Sequence, residues 1–426
     1  MHIAIRNGRV IDPASGRDRV GDVFIAEGRI AALDHAPDGF RAERELNATG
    51  WVVGPGLVDL RAHLREPGEE HKGTIASETR AAAAGGITTV VCPPDTVPPV
   101  DTPAVATLIH DRALAAGHAR VLTVGALTQK LAGSHITEMG ALQQAGCVGV
   151  GNARRPLANP LVLRRAMEYA ATFGLTVFVH PEDPHLANQG CAHEGRVSAR
   201  LGLPGIPEAA ETAAVATCLA LIPQTGARVH FCGLSTQRAV RMVARARFDG
   251  VAVSADVSAH HLHLTEMDIG FFNSQCHVQP PLRHPRDRDG LRAGLAEGVI
   301  DAICSDHLPH EPDAKLGPFP ATAPGISALE TLLPLGLRLV RDGLVDLPTV
   351  LHRLSTGPAR LLGIDAGHLQ VGAAADLCLF DPEREWTLSP ATLLSRGHNS
   401  PFSGWQFRGQ VMATLLNGRV VYERPR

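Results

Sequence analysis

The sequence predicts an α/β protein, namely a (β/α)8 barrel of the TIM type with a small composite β-sandwich domain formed by the N- and C-terminal segments. Eight short apolar runs alternate with Ala-, Leu- and Arg-rich segments of helical spacing, which is typical of a parallel sheet covered by helices. The two ends of the chain carry strand-like alternation instead, with Asn-Gly turn signals at 7–8 and 417–418.

The eight apolar runs are the predicted barrel strands. Helical segments such as NPLVLRRAMEYAATFG separate them and end at Gly or turn residues. Eight such units favour a closed barrel over an open sheet. We assign residues 53–366 to the barrel, and 1–52 with 367–426 to the small β domain. In chain order the predicted strands are 52–60 (VVGPGLVDL), 88–93 (TTVVCP), 120–127 (RVLTVGAL), 147–151 (CVGVG), 175–180 (LTVFVH), 228–233 (RVHFCG), 251–256 (VAVSAD) and 300–306 (IDAICSD).

The composition excludes several classes of protein. A hydrophobic content of 44% over 426 residues supplies a sizeable core. The net charge of −3 and the lack of Lys/Arg runs argue against a nucleic-acid surface. No apolar stretch approaches the length of a membrane span, and the first residues lack a secretory layout. The eight cysteines are scattered without a CxxC pair, so we expect a reducing, cytoplasmic environment.

Polar side chains follow the predicted strands at their carboxyl ends, where barrels of this type carry their active groups. Two histidines two residues apart on a strand point the same way and can hold one metal ion. Here the first of the two positions is Arg61, which is always protonated and offers no lone pair, while the second is His63. Further polar residues at strand ends are Arg65, Asp95, Asn152, His180, Asp306, His307 and His310.

These strand ends resemble those of the dihydroorotases of the amidohydrolase superfamily, and the likeness extends over essentially the whole chain. Hydantoinases and allantoinases share the barrel, but HLREPG and PPLR followed by SDHLPH favour dihydroorotase. The resemblance implies the reversible closure of N-carbamoyl-aspartate to dihydroorotate, with zinc polarising the carbonyl and a strand-eight Asp moving the proton. The matching stretches are GLVDLRAHLREPGEEHKGTI, AAAAGGITTVVCPPDT, VFVHPEDPHL, VHFCGLST, SAHHLHLTE, VQPPLR and DAICSDHLPH.

The resemblance also implies that the metal site is incomplete. The expected bridging carboxylate would fall at Asn152-Ala153, and no Lys stands there that could be carboxylated. Catalytic zinc generally needs at least three protein ligands. We therefore expect no cofactor, or zinc if the site is still active. Expected ligands are replaced by Arg61, Ala153 and Gly233, and the remnant set is His63, His180 and Asp306, the last as a vestigial general base.

The implied substrate pocket shows similar changes. The family pattern places Asn where this chain has Asp95 and Gln279. A carboxylate at 95 would lie beside the carboxylate of the substrate, at a cost on the order of several kcal/mol. The vestigial substrate-binding set is Arg65, a plausible fork for a carboxylate, with Asp95, Gln279 and His310.

Three interpretations of Arg61 remain open from sequence. It is a surface residue on a misassigned strand, it lies beside a surviving single metal, or its guanidinium fills the vacated metal position and pairs with Asp306. We favour the third, because a buried Asp306 without a cation would carry a heavy desolvation penalty. We expect His63, His180 and the histidines of AHHLHL to form hydrogen bonds rather than hold a metal. The loop 310–325 suits either a lid or an inert surface loop.

Three functions follow from the resemblance. The leading hypothesis is a dihydroorotase-like chain of pyrimidine biosynthesis that no longer catalyses the reaction, since degenerate homologues of this kind serve as scaffolds for aspartate carbamoyltransferase. Its catalytic chain is the implied partner; a homo-oligomer is also possible, and no nucleic-acid or membrane partner is expected. The alternatives are an active zinc-dependent dihydroorotase or related cyclic-amide hydrolase using His63, His180 and Asp306, and a small-molecule-binding regulatory chain using Arg65.

Overall fold

The computed structural model describes residues 2–425, and the two ends of this range meet in one eight-stranded sheet. Its strand order is β18-β17-β16-β5-β1-β2-β3, with β4 beside β1. Pairing of β5 with β16 joins the N-terminal part to the C-terminal part, as the sequence predicts. The strands are β1 (Ile3–Asp12), β2 (Arg17–Ala26), β3 (Arg29–Leu33), β4 (Arg44–Asn47), β5 (Val52–Pro55), β16 (Leu377–Thr387), β17 (Gln406–Leu416) and β18 (Arg419–Glu423).

The second sheet contains eight parallel strands in chain order and forms the barrel. Its strands are short and almost wholly buried, because helices cover the outside. They are β6 (Leu57–Asp59), β7 (Ile87–Cys92), β8 (Arg120–Ala126), β9 (Cys147–Gly151), β10 (Thr176–Val179), β13 (Arg228–Phe231), β14 (Val253–Ser258) and β15 (Ala302–Cys304). A separate pair, β11 (Ala192–His193) and β12 (Gly205–Ile206), lies in the connection after β10.

Helices follow the barrel strands, and several begin at the residues that the sequence offers as caps. Asn159 accepts a hydrogen bond from the first turn of α4, and Pro160 stands at the first helical position. The helices are α1 (Ile75–Ala84), α2 (Pro103–Ala116), α3 (Met139–Gln144), α4 (Pro160–Thr172), α5 (Pro184–Ala187), α6 (Arg196–Leu201), α7 (Glu208–Thr225), α8 (Gln237–Phe248), α9 (Pro285–Ala296), α10 (Leu332–Arg341), α11 (Leu347–Leu351) and α12 (Gly357–Leu362). Within residues 2–425, we find no helix with the length and apolar character needed to cross a bilayer.

Strands one and eight of the barrel approach each other at their carboxyl ends. Ala62 and His307 form a parallel bridge, and the backbone N–H of His63 donates to the carbonyl of His307 at 2.9 Å. The N–H of Ser305 donates to Asp59 Oδ1, also at 2.9 Å. These contacts nearly close the barrel and bring the residues after β6 and β15 into direct contact.

The predicted first strand, 52–60, is two strands in the structure. Gly56 separates β5, which belongs to the terminal sheet, from β6, which begins the barrel. A Cβ atom at Gly56 would lie 2.2 Å from Thr88 Oγ1, so only glycine allows the chain to pass from one sheet to the other here. The other seven predicted strands are present within a few residues of their predicted positions.

Candidate functional site

The Asp306 carboxylate lies at the centre of the barrel mouth and is held by two arginines. Arg61 Nε donates to Oδ1 at 2.8 Å, and Arg154 Nη2 contacts Oδ1 and Oδ2 at 2.6 and 2.7 Å. Asp306 is 2% exposed. Burial by itself would raise its pKa, but Arg154 and Arg61 together hold the pKa well below the usual range. Asp306 is therefore an ionised carboxylate whose oxygens are both occupied.

Arg61 fills space that a side chain at position 233 would need. A Cβ atom at Gly233 would lie 2.7 Å from Arg61 Nη2. The same guanidinium lies 3.5 Å from Asp256 Oδ1 and 3.4 Å from Cys304 Sγ. Arg61 is buried and does pair with Asp306, as the favoured interpretation of the sequence expected.

Arg154 is the member of this arrangement that sequence reasoning missed. It follows Ala153, whose φ of 50° places the backbone in the left-handed region just after β9. Asn152 anchors this turn, since its side chain accepts from Thr128 at 2.7 Å and donates to the carbonyl of Arg155 at 2.7 Å. The position predicted to have lost a bridging carboxylate thus begins a turn that delivers a second guanidinium to Asp306.

His63 is paired inside the protein rather than free to bind a metal. Its Nε2 lies 3.1 Å from both carboxylate oxygens of Asp95, and its Nδ1 lies 3.3 Å from the carbonyl of His307. Both ring nitrogens therefore face oxygen acceptors. Burial would raise the pKa of Asp95, but the contact with His63 lowers it to about 2. The residue predicted to repel a substrate carboxylate has a partner of its own.

His180, at the end of β10, has the opposite character. Neither ring nitrogen has a hydrogen-bond partner within the described part of the chain, although the residue is only 8% exposed. Burial lowers its pKa to about 3, and the nearby charges of Arg154 and Arg61 act in the same direction. His180 is accordingly a neutral imidazole beside two guanidinium groups.

The residues present do not fit zinc at the position that the resemblance implies. Within residues 2–425, the group of potential ligand atoms found within 4.8 Å of one another is His230, Cys232 and Asp256, rather than the remnant set of His63, His180 and Asp306. Sequence reasoning missed this group. His230 Nε2 lies 2.9 Å from Asp256 Oδ2, so the two side chains already satisfy each other. Because such a group exists, the expectation of no cofactor stays a prediction.

Comparison with known proteins identifies the family. A model of Dihydro-orotase-like proteins matches residues 50–239, and one of the Amidohydrolase family matches residues 223–422. The chain is 52% identical over 422 residues to the "Dihydroorotase-like protein" of Pseudomonas putida, covering 99% of each chain. The chain belongs to the dihydroorotase-like proteins of the amidohydrolase family. This dihydroorotase-like chain is also 43% identical over 426 residues to the "Dihydroorotase" of Geobacter sp., covering 99% of this chain and 100% of the relative.

Solved structures agree on the fold of this dihydroorotase-like chain. An L-hydantoinase (dihydropyrimidinase) from Arthrobacter aurescens superimposes with a TM-score of 0.89 at 24% identity, covering 100% of this chain and 96% of that one. A D-hydantoinase superimposes with a TM-score of 0.83 at 24% identity, with the same coverage. At this identity the likeness supports the predicted barrel with its additional sheet, and the fold alone.

The predicted substrate-binding residues of the dihydroorotase-like chain are engaged with protein partners. Arg65 Nη1 contacts Glu69 at 2.6 Å, its Nη2 lies 3.2 Å from His310 Nε2, and its Nε donates to the backbone oxygen preceding His310. Gln279 donates to Glu182 at 2.9 Å. Arg65 is therefore held by Glu69 of its own loop and by the segment around His310, rather than presented as a fork for a carboxylate.

The loop 310–325 is held by several buried side chains, among them Lys315, Phe319 and Thr322. Lys315 Nζ donates to the carbonyls of Ser274, His277 and Ala323 at 3.2, 3.2 and 2.6 Å. The side chain is 5% exposed although no carboxylate is among these partners. Two short 3-10 helices, Pro312–Lys315 and Phe319–Ala321, lie within the loop. This anchor binds the loop to the segment before the barrel's last strand.

Proposed function

We propose that this chain is a non-catalytic dihydroorotase-like protein of pyrimidine biosynthesis, and that it acts as a structural partner of aspartate carbamoyltransferase. The observation that carries the first part is the pairing of Asp306 with Arg61 and Arg154. A general base must accept a proton on a free carboxylate oxygen at the pH of the reaction. In Asp306 both oxygens are taken and the pKa is held far below that pH.

Loss of metal chemistry supports the same proposal. In the expected scheme, zinc ions supply positive charge and an open coordination position for the substrate. The guanidinium of Arg61 supplies charge at this place, but nitrogen-bound protons cannot coordinate a carbonyl oxygen as a Lewis acid. The site keeps its electrostatic balance and loses the means of activating water.

The proposed partnership rests on the family resemblance and on an intact fold around an altered site. The similar proteins of Pseudomonas putida and Pseudomonas aeruginosa, each 52% identical, are both named "Dihydroorotase-like protein", whereas the Geobacter relative at 43% is named "Dihydroorotase". A chain that keeps the fold of its family while the expected ligand positions differ is suited to a role that depends on shape. Aspartate carbamoyltransferase is the partner that the resemblance names.

Two experiments test the two parts of this proposal. Ring opening of dihydroorotate is measured with the purified full chain in added zinc, using the Geobacter dihydroorotase as the positive control. We expect turnover below detection for this chain, and turnover at an enzymatic rate contradicts the non-catalytic assignment. Affinity purification then asks whether aspartate carbamoyltransferase co-purifies, and whether it still assembles when the chain is deleted. Normal assembly and activity of the transferase without the chain refute the partnership.

A second candidate function is an active zinc-dependent dihydroorotase or related cyclic-amide hydrolase. The group formed by His230, Cys232 and Asp256 favours it, because these are ligand types that zinc accepts. The guanidinium of Arg61, 3.5 Å from Asp256, opposes a further cation there. Elemental analysis of the wild type and of Cys232→Ser, with Cys191→Ser as control, decides the matter. Stoichiometric zinc that only Cys232→Ser loses would support this candidate.

A further inference from the structure

A small cavity of about 40 Å³ lies at the barrel mouth, directly beside the Asp306 pairing. Much of its wall is apolar, so the few polar side chains that reach it stand out as the groups able to orient a ligand. The wall residues that matter here are Leu60, Val124 and Phe178, which are apolar, and Arg61, Arg154 and His180, which are polar.

The polar side chains at this cavity have nitrogens with no partner. Within residues 2–425, Arg61 Nη1, Arg154 Nε and Nη1, and both ring nitrogens of His180 lack a hydrogen-bond partner. Arg61 and His180 are more than nine-tenths buried, with exposures of 7% and 8%. Buried polar groups are normally hydrogen-bonded, and buried cations normally paired, so three such side chains around one cavity indicate a binding site.

The unpartnered hydrogen-bond donors around the cavity select the kind of ligand. Arg154 contacts Asp306 through Nη2 alone, which leaves the rest of its guanidinium uncommitted. The nearby carboxylate of Asp95 is taken by His63. Guanidinium nitrogens act only as donors, and a neutral imidazole contributes one further N–H. A ligand that satisfies them must bring acceptors, and a negative charge makes these hydrogen bonds stronger.

We propose that this cavity binds a small oxyanion, either inorganic phosphate or the carboxylate of a small organic acid, through Arg154, Arg61 and His180. The site is distinct from Arg65, whose guanidinium is held by Glu69 and His310. The inference goes beyond the proposed scaffold role and does not depend on it, since the binding residues belong to this chain alone.

Equilibrium dialysis of the full chain against labelled phosphate and, separately, labelled acetate tests the site, with sodium chloride holding the ionic strength constant. We expect saturable binding of one anion per chain in at least one of the two experiments. Arg154→Gln removes one charge-assisted donor and should weaken this binding about tenfold or more. Arg155→Gln, which removes the same charge from the neighbouring exposed residue, should leave the affinity within about twofold.

His180→Leu provides a second variant that keeps every charge, and it should also weaken binding, since it removes a donor from the cavity wall. Circular dichroism melting confirms that each variant is folded before its binding is compared. Saturable binding of phosphate alone or of acetate alone supports the proposed site and identifies whether the ligand is a phosphate or a carboxylate. Absence of saturable binding to the wild type, or equal binding by Arg154→Gln and Arg155→Gln, overturns the inference. Neither result bears on the proposed function, which the ring-opening and co-purification experiments decide separately.

Discussion

Replacing Arg61 by Met tests whether its charge holds the barrel mouth together. Met preserves an unbranched side chain of similar reach and removes the guanidinium that lies 2.8 Å from Asp306 and 3.5 Å from Asp256. The side chains of these two aspartates are 2% and 1% exposed, so the charges left behind cannot be solvated by bulk water. Removing one partner of a buried ion pair costs about 3–5 kcal/mol. Because Arg154 still contacts Asp306, we expect the free energy of unfolding to fall by an amount near the lower end of this range, about 3 kcal/mol.

Urea unfolding at pH 7, followed by circular dichroism, measures this loss as a lower midpoint. A second variant that combines Arg61→Met with Asp256→Asn should recover part of it, because Arg61 is the arginine that balances the charge of Asp256, whereas Asp306 keeps its contact with Arg154. Arg245→Met is the matched surface control: its partner is Asp249, the arginine side chain is 72% exposed, and we expect a change below about 1 kcal/mol. If Arg61→Met unfolds within about 1 kcal/mol of the wild type, or if adding Asp256→Asn recovers nothing, the electrostatic account of the site is wrong.

Four further outcomes can be measured. The pKa of Asp95 is depressed from 3.8 to about 2 in the folded chain. The stability it provides is therefore present above about pH 4 and lost as the pH falls toward 2. Asp95→Asn, which removes the titrating carboxylate, should remove about 2 kcal/mol of this acid dependence in urea titrations. Gly233→His should lower the free energy of unfolding by about 2 kcal/mol, because φ at this position is 67° and the added Cβ would meet Arg61. The loss should be smaller when Gly233→His is made in the Arg61→His variant. An equal loss in the wild type and in Arg61→His contradicts the steric reasoning. Lys315→Met should speed amide hydrogen exchange across 311–324 without unfolding the barrel, and unchanged exchange would mean that the lysine does not anchor the loop. Dialysis against a chelator should leave the urea midpoint unchanged, and a lower midpoint would reveal a structural metal.

Most of the barrel could be predicted from the sequence, because the spacing and length of the apolar runs suffice to identify buried parallel strands between helices. The division of 52–60 into β5 and β6 could not be predicted. The run VVGPGLVDL is apolar up to Asp59, and the residues that force the change of sheet at Gly56 belong to distant parts of the chain. Thr88 leaves room for no side chain at this position, and the Gly56 N–H donates to the carbonyl of Asp376 at 2.8 Å. Such a boundary depends on tertiary neighbours, which local pattern does not contain.

The same distinction separates the parts of the site that were predicted from those that were missed. The contact of Arg61 with Asp306 could be predicted, because strands one and eight are neighbours in a closed barrel and both residues follow strand ends. Arg154 was missed because its direction depends on the left-handed turn at Ala153, and Ala gives no signal of that conformation. The pairing of His63 with Asp95 joins the ends of adjacent strands one and two. Comparing neighbouring strand ends pair by pair would have suggested it.

Under the proposed non-catalytic function, the paired site explains how the fold keeps a charge balance at the barrel mouth without a metal. A buried aspartate at the mouth of a barrel requires compensating charge, and in the expected scheme zinc supplies it. Arg61 and Arg154 meet the same requirement for Asp306 through covalently attached cations, so the charge balance no longer depends on ligand exchange. Each guanidinium also brings more donors than one carboxylate can accept. Under the two proposals above, the unpartnered nitrogens of Arg61 and Arg154 at the cavity are the expected result of having arginines where the family scheme has metal ions, and they are the groups that an anion would satisfy.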